Sequence, residues 1–160
     1  MNEASKNLLL ATIREWTKYT TERDKFTALA NELAAVTRKV VQEALNMLKA
    51  QNVDVQCDSP ETLKILKVPV EIVAVIEAPF PNVKASVMMK CGEAHRAIVI
   101  NPNMSIAAGG ASFAFDALKR GIPDPFWQNA AEFVRDAFLH VARTGGKEQP
   151  QPAPPKPPAA

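Results

Sequence analysis

The first 59 residues contain neither glycine nor proline, the two residues that most often interrupt a helix. Within this stretch Leu9, Ile13 and Trp16 recur at spacings of four and three, which predicts an amphipathic helix over residues 4–19. Thr21 followed by Asp24 resembles a capping box, which predicts that a second helix begins there. Residues 4–50 therefore form either a helical hairpin or one helix about 70 Å long, and a single helix of that length needs a partner to cover it.

The segment 22–50 has the clearest helical periodicity in the chain. Its apolar residues follow the 3-4-3-4 spacing of a coiled-coil seam until Glu43, which interrupts it. Additional apolar residues widen the stripe, and a wide stripe is typical of a helix that packs on its own domain. Both interpretations stay open. The seam residues, which we expect to contact a partner, are Phe26, Leu29, Leu33, Val36 and Val40.

A β-rich block follows the helical region. Residues 51–62 are polar and predict a connecting loop, and β-branched residues over 70–77 predict a strand. Because that strand has apolar residues on both faces, we expect it to be covered on both sides at its centre. Gly92-Glu93 is a plausible hairpin turn that sets Cys91 opposite Ala94 and His95 opposite Lys90. We expect an antiparallel meander of three or four strands over 63–101.

The remainder of the folded region is predicted to be helical. Residues 103–112 are small and predict a flexible linker, followed by a short helix that Gly121 ends. Asp124-Pro125 predicts the start of a longer helix and Gly145 its end, so the C-terminal helices occupy 111–144. Residues 1–145 thus form a single α+β domain. The six prolines within 150–158 predict a disordered tail over 146–160, either a Pro-x-x-Pro ligand or only a disordered end.

Charge is spread evenly along the chain, with 19 basic and 17 acidic residues. Nucleic-acid binders usually concentrate lysine and arginine, because contacts with phosphates release counterions. This balance makes a nucleic-acid partner an alternative rather than the expected function. If it applied, the N-terminal helices would carry the basic face, made of Arg14, Lys18, Arg38, Lys39 and Lys49.

No catalytic or metal-binding motif is found in the sequence. Cys57 and Cys91 are too few for a disulfide scaffold and are expected to be reduced thiols. Cys91 and His95 would point to opposite faces of a sheet, so they could not share a metal. A small enzyme with an unrecognised site near Ser112 and His95 is a further alternative. We expect no catalytic residues, no metal and no cofactor.

The sequence has no signal peptide and no run of about 20 apolar residues, so we expect a cytoplasmic protein without a membrane partner. If both the helical region and the last helix must bury their apolar faces, a small sheet cannot cover all of them, and some apolar surface stays exposed. The resulting hypothesis is a protein–protein interaction module, an adaptor, chaperone-like or structural subunit. We expect it to form a homodimer or to bind another protein through its amphipathic helical region.

Overall fold

The computed structural model describes residues 1–145, and the predicted tail over 146–160 lies outside the described residues. The predicted α+β class is confirmed, with a long N-terminal helix, an antiparallel sheet and a C-terminal helix. In chain order the elements are α1 (Glu3–Ala50), β1 (Val55–Ser59), β2 (Thr62–Ile65), β3 (Val68–Glu77), β4 (Lys84–Cys91), β5 (Ala94–Ile100), β6 (Ser105–Ala108), β7 (Ala111–Ala114), α2 (Ala117–Arg120) and α3 (Asp124–Thr144).

Helix α1 is one continuous helix, so the hairpin alternative and the helix start at Thr21 are wrong. Asn2 caps its first turn, where the backbone N–H of Ser5 donates to Asn2 Oδ1 at 2.8 Å. The threonines in the middle do not end it, because a threonine hydroxyl can bond within the helix. Thr20 donates to the carbonyl of Thr17 at 3.1 Å.

The sheet has seven strands over the described residues, and neighbouring strands follow one another along the chain from β1 to β7. The Gly92-Glu93 turn joins β4 to β5 and sets Cys91 opposite Ala94 and Lys90 opposite His95, as predicted. The strand count exceeds the predicted three or four because short strands extend the meander on both sides.

Those extra strands replace a predicted loop, a predicted linker and the start of a predicted helix. Strand β1 lies within the segment 51–62 and buries Cys57. Strands β6 and β7 form a hairpin at 105–114, whose turn is Gly109-Gly110 with φ values of 58° and 84°. Two positive φ values match a tight two-residue hairpin turn, which glycine adopts without strain. Strands of four small residues carry too little periodicity for a sequence pattern to reveal them.

Helices α1 and α3 contact each other and pack on the same face of the sheet. The inward side chains of β4, Ala85, Val87 and Met89, are buried beneath them. On the opposite face Val73 is 47% exposed, and no described helix covers it. The expectation that β3 is covered on both sides is therefore wrong. A sheet about 30 Å wide accommodates two helices side by side on one face.

The C-terminal helices are close to the sequence expectation, except that β7 occupies the beginning of the predicted range 111–144. Gly121 follows α2, and α3 begins at Asp124 with Pro125 in its first turn. Gly145 ends α3 in the left-handed conformation with φ of 69°, and its N–H donates to the carbonyl of Val141 at 2.7 Å.

Candidate interaction surface

The five seam residues predicted to contact a partner lie where α1 meets the sheet. Phe26, Leu33 and Val40 are buried in the core, and Leu29 and Val36 are half-buried and pack against it. Leu29 also borders a groove of about 620 Å³ between α1 and β7. Three of the five side chains are thus already covered by the chain's own sheet. This arrangement corresponds to a helix that packs on its own domain, the alternative to a coiled coil.

The exposed apolar surface of α1 lies further toward its N-terminus. Residues 3–18, which we call the N-terminal arm, are all exposed, and at 1.5 Å per residue the arm is about 24 Å long. Its large apolar side chains are between 49% and 69% exposed, and they are Leu8, Leu9, Leu10, Ile13 and Trp16. A concentration of this kind is typical of a protein–protein contact.

An aromatic cluster joins the arm to residues 19–145, which we call the body of the protein. The rings of Trp16, Tyr19 and Phe80 contact one another, with centroids 5.1–5.7 Å apart. The Tyr19 hydroxyl donates to the carbonyl of Ala78, and the guanidinium of Arg23 lies 5.6 Å from the Tyr19 ring centre. Phe80, in the loop between β3 and β4, is 52% exposed. The apolar surface of the arm therefore continues onto the body.

The arm presents most of its apolar side chains on the side of α1 that faces the sheet. At about 100° per residue, the buried side chains of α1 cover an arc of about 140°, from Val40 to Leu45. Leu8 and Trp16 fall within the same arc and Leu9 lies at its limit. Ile13 lies about 40° beyond that limit, and Leu10 lies on the opposite side of the helix. The arm is thus a continuation of the buried face of α1 beyond the end of the sheet.

The predicted basic face does not form a single patch. By helical position, Arg14, Lys18 and Lys39 lie on one side of α1, and Arg38 and Lys49 lie on another. Arg38 donates to the backbone carbonyl of Ile72 at 2.8 Å, and Lys49 pairs with Asp58 at 3.2 Å. Two of the five cations are therefore engaged within the protein.

Ser112 and His95 are not brought together. His95 lies on β5, four residues before Val99. Val99 pairs with Ala107 of β6, which pairs in turn with Ser112 of β7, so Ser112 is two strands away from β5. Strand geometry places the two residues about 15 Å apart. Ser112 instead lies 3.4 Å from the Ser105 hydroxyl, and both border the groove beside Leu29. No histidine or cysteine among the described residues lines that groove.

The two histidines flank the turn between β4 and β5. The backbone N–H of Glu93 donates to Nε2 of His140 at 3.1 Å, and Nδ1 of His95 lies 3.1 Å from the carbonyl oxygen of Glu93. The contact with His140 anchors the turn to α3. Within residues 1–145, no three His, Cys, Asp or Glu side chains are grouped closely enough to hold a metal ion.

Both cysteines are free and buried. Burial raises the pKa of the Cys91 thiol to about 11. A thiol with so high a pKa is protonated at neutral pH, and the thiolate is the form that attacks electrophiles and binds metals. Cys91 is therefore a packing residue of the core.

The uncovered sheet face is a second exposed apolar surface, but a shallower one. Val73 and Val99 are its most exposed large apolar residues. Ala97 lies on β5 beside Val99 and in the same cross-strand row as Val73, with Met88 of β4 between them. A charged row, Glu71 opposite Lys90, borders it. Because it exposes fewer large apolar side chains than the arm does, this face offers a partner less apolar surface.

In the part of the chain that the structure describes, none of the helices has an apolar stretch of the length needed to cross a membrane. Comparison of the chain with protein-family models, with curated proteins and with solved structures gave no match.

Proposed function

We propose that this protein is an interaction module whose binding surface is the N-terminal arm, extended by Phe80. The observation that carries the proposal is a group of four large apolar side chains on one side of the arm, each more than half exposed: Leu8, Leu9, Ile13 and Trp16. Isolated exposed apolar residues are ordinary, whereas a contiguous group of large ones on one segment is typical of a site that a partner covers.

The way in which α1 is built supports this role. A helix as short as the arm is marginal in water by itself, so its helical state depends on continuity with the packed part of α1. Phe26, Leu33 and Val40 fasten that part to the sheet. The seam residues thus hold the arm in place for a partner, and the arm makes the contact. An exposed amphipathic helix usually binds another helix or an apolar groove.

The proposal is tested by photo-crosslinking in cells that express the full chain. A photoreactive phenylalanine analogue replaces Ile13 in one variant and Met47 in the control. Met47 is the matched position, since it is a large apolar residue of α1, 75% exposed, but lies at the opposite end of the helix. We expect a discrete protein adduct from position 13 and none from position 47. Equal labelling, or no adduct from either position, would refute the proposal.

A further inference from the structure

We infer that the partner of the N-terminal arm is a second copy of this chain, and that the two arms lie side by side in antiparallel orientation about a twofold axis. This inference rests on the proposed function, because it takes the arm as the binding surface. Three properties of the arm carry it: the amount of apolar surface, the side of α1 on which that surface lies, and the absence of charge at its centre.

The exposed area matches what a symmetric dimer needs. At about 200 Å² for a fully exposed large apolar residue, the stripe and Phe80 together expose roughly 550 Å² per copy; the stripe residues are Leu8, Leu9, Ile13 and Trp16. Two copies would bury roughly 1,100 Å² in total, which exceeds the roughly 1,000 Å² expected of a biological interface. One surface that contacts its own copy is the commonest form of homodimer interface.

The orientation follows from the position of the body. The apolar side of the arm faces the same way as the buried side of α1, so the sheet lies directly beyond it toward Tyr19. Two parallel arms meeting through that side would place both sheets in the same space. Antiparallel arms avoid this collision, because each body then lies beyond the N-terminus of the other arm.

The chemistry of the stripe is compatible with burial in such a dimer. Between Leu8 and Leu9 on the helix surface lie Ser5, Thr12 and Trp16, none of which is charged. Thr12 already donates to the carbonyl of Leu8 at 2.9 Å, so its hydroxyl needs no new partner when the stripe is covered. The flanking charges of Lys6 and Glu15 lie at the edges, where they keep their contact with water.

The first test measures the mass of the full chain by light scattering over a range of concentrations. We expect twice the 17.4 kDa of one chain. The double variant Leu9→Asp, Ile13→Asp should shift to the mass of one chain, since it would place charges in the contact. Met47→Asp introduces one such charge at an exposed position of the same helix and should remain dimeric. Circular dichroism of each variant shows whether the fold is retained.

The second test measures the relative orientation of the two arms by pulsed electron paramagnetic resonance. A spin label is attached at Lys25→Cys, an exposed position beyond the arm, while the buried native thiols stay unlabelled. Antiparallel arms centred near residue 10 place the two labels about 45 Å apart along the helix axes. Parallel arms would place them within about 10–20 Å of each other.

Each outcome has a defined meaning. A dimer that the arm variant dissociates, with labels about 45 Å apart, supports the inference. A dimer with the short distance, or one that the arm variant leaves intact, overturns the antiparallel arrangement. A single-chain mass at every concentration excludes the second copy as partner. If photo-crosslinking at position 13 then captures a different protein, the proposed function stands; if it captures none, both proposals fail.

Discussion

At the scale of single residues, Arg96 holds α3 against the sheet. It lies on the inner face of β5 opposite the buried Met89, and its guanidinium reaches α3. Nη1 donates to Glu132 at 2.8 Å and Nη2 donates to Asp136 at 3.0 Å. Nη1 also lies 3.3 Å from Oδ1 of the buried Asn129. A cation under a helix is thus compensated by two carboxylates and an amide.

Replacing this cation tests its contribution. Arg96→Met keeps a similar length but removes the charge-assisted hydrogen bonds. We expect the free energy of unfolding to fall by about 1–2 kcal/mol at neutral pH, a value reduced because Arg96 is partly exposed to solvent. Urea denaturation followed by circular dichroism measures it. An unchanged midpoint would show that Arg96 contributes nothing to the docking of α3.

The stability that Arg96 contributes through Glu132 and Asp136 should decrease as the pH falls. Hydrogen bonds from Gln128 and Arg96 lower the pKa of Glu132, and the hydrogen bond from Arg96 lowers the pKa of Asp136. Carboxylates with a lowered pKa in the folded state stabilise it above their ordinary pKa, and this contribution is lost as the pH falls below about 4.5. The melting temperature of the unmodified chain should therefore fall more steeply toward pH 3 than that of Arg96→Met.

Cys91 offers a second test at the residue scale. Because it is buried and its thiol has a pKa of about 11, alkylation by iodoacetamide in the native state should be at least about ten-fold slower than in urea. An exposed control, Lys25→Cys beyond the arm, should react quickly in both states. Rapid labelling of Cys91 in the native protein, identified by mass spectrometry of peptides, would contradict its placement in the core.

At the scale of elements, α1 performs two tasks along its length. Its C-terminal half is part of the core, where Leu33 is fully buried, and its N-terminal arm, residues 3–18, is exposed. The apolar stripe continues through both parts, so its periodicity predicts a helix without indicating where the sheet beneath it ends. That boundary lies at Tyr19, where the β3–β4 loop contacts the helix.

The same leucine-to-alanine substitution in the two halves of α1 should affect the free energy of unfolding differently. Leu33→Ala leaves a cavity in the core and should lower the free energy of unfolding by about 2–5 kcal/mol. Leu9→Ala removes an exposed side chain and should change the same quantity by about 0.5 kcal/mol or less. Urea denaturation at protein concentrations low enough to prevent association measures both. Equal losses would mean that the arm is packed within the single chain.

Several elements could be predicted from sequence patterns alone. The periodicity of 22–50, the Gly92-Glu93 turn and the start and end of α3 at Asp124 and Gly145 rest on local signals that the fold retains. The short strands β1, β6 and β7 could not be predicted, because strands of four or five residues gain their stability from neighbouring strands. The small residues around Gly109-Gly110 predict a flexible linker, although two adjacent glycines can also form a tight hairpin turn.

At the scale of the whole molecule, the seven-stranded sheet decides which apolar surfaces remain exposed. A narrower sheet would need one helix on each face, whereas this one places α1 and α3 together and leaves Val73 and Val99 uncovered. Because α1 is longer than the sheet beneath it, the arm extends past the edge. An antiparallel dimer would cover both arms and leave the open sheet faces directed away from the contact.

The sequence by itself determined the α+β class, the helical character of residues 4–50 and the even distribution of charge, because these depend on local periodicity and composition. It also identified Leu9, Ile13 and Trp16 as one apolar stripe. Only the tertiary structure decided that α1 is continuous, that Phe26, Leu33 and Val40 are buried and that the arm is exposed. These properties depend on where the sheet ends beneath the helix, and strand pairing between distant residues sets that position.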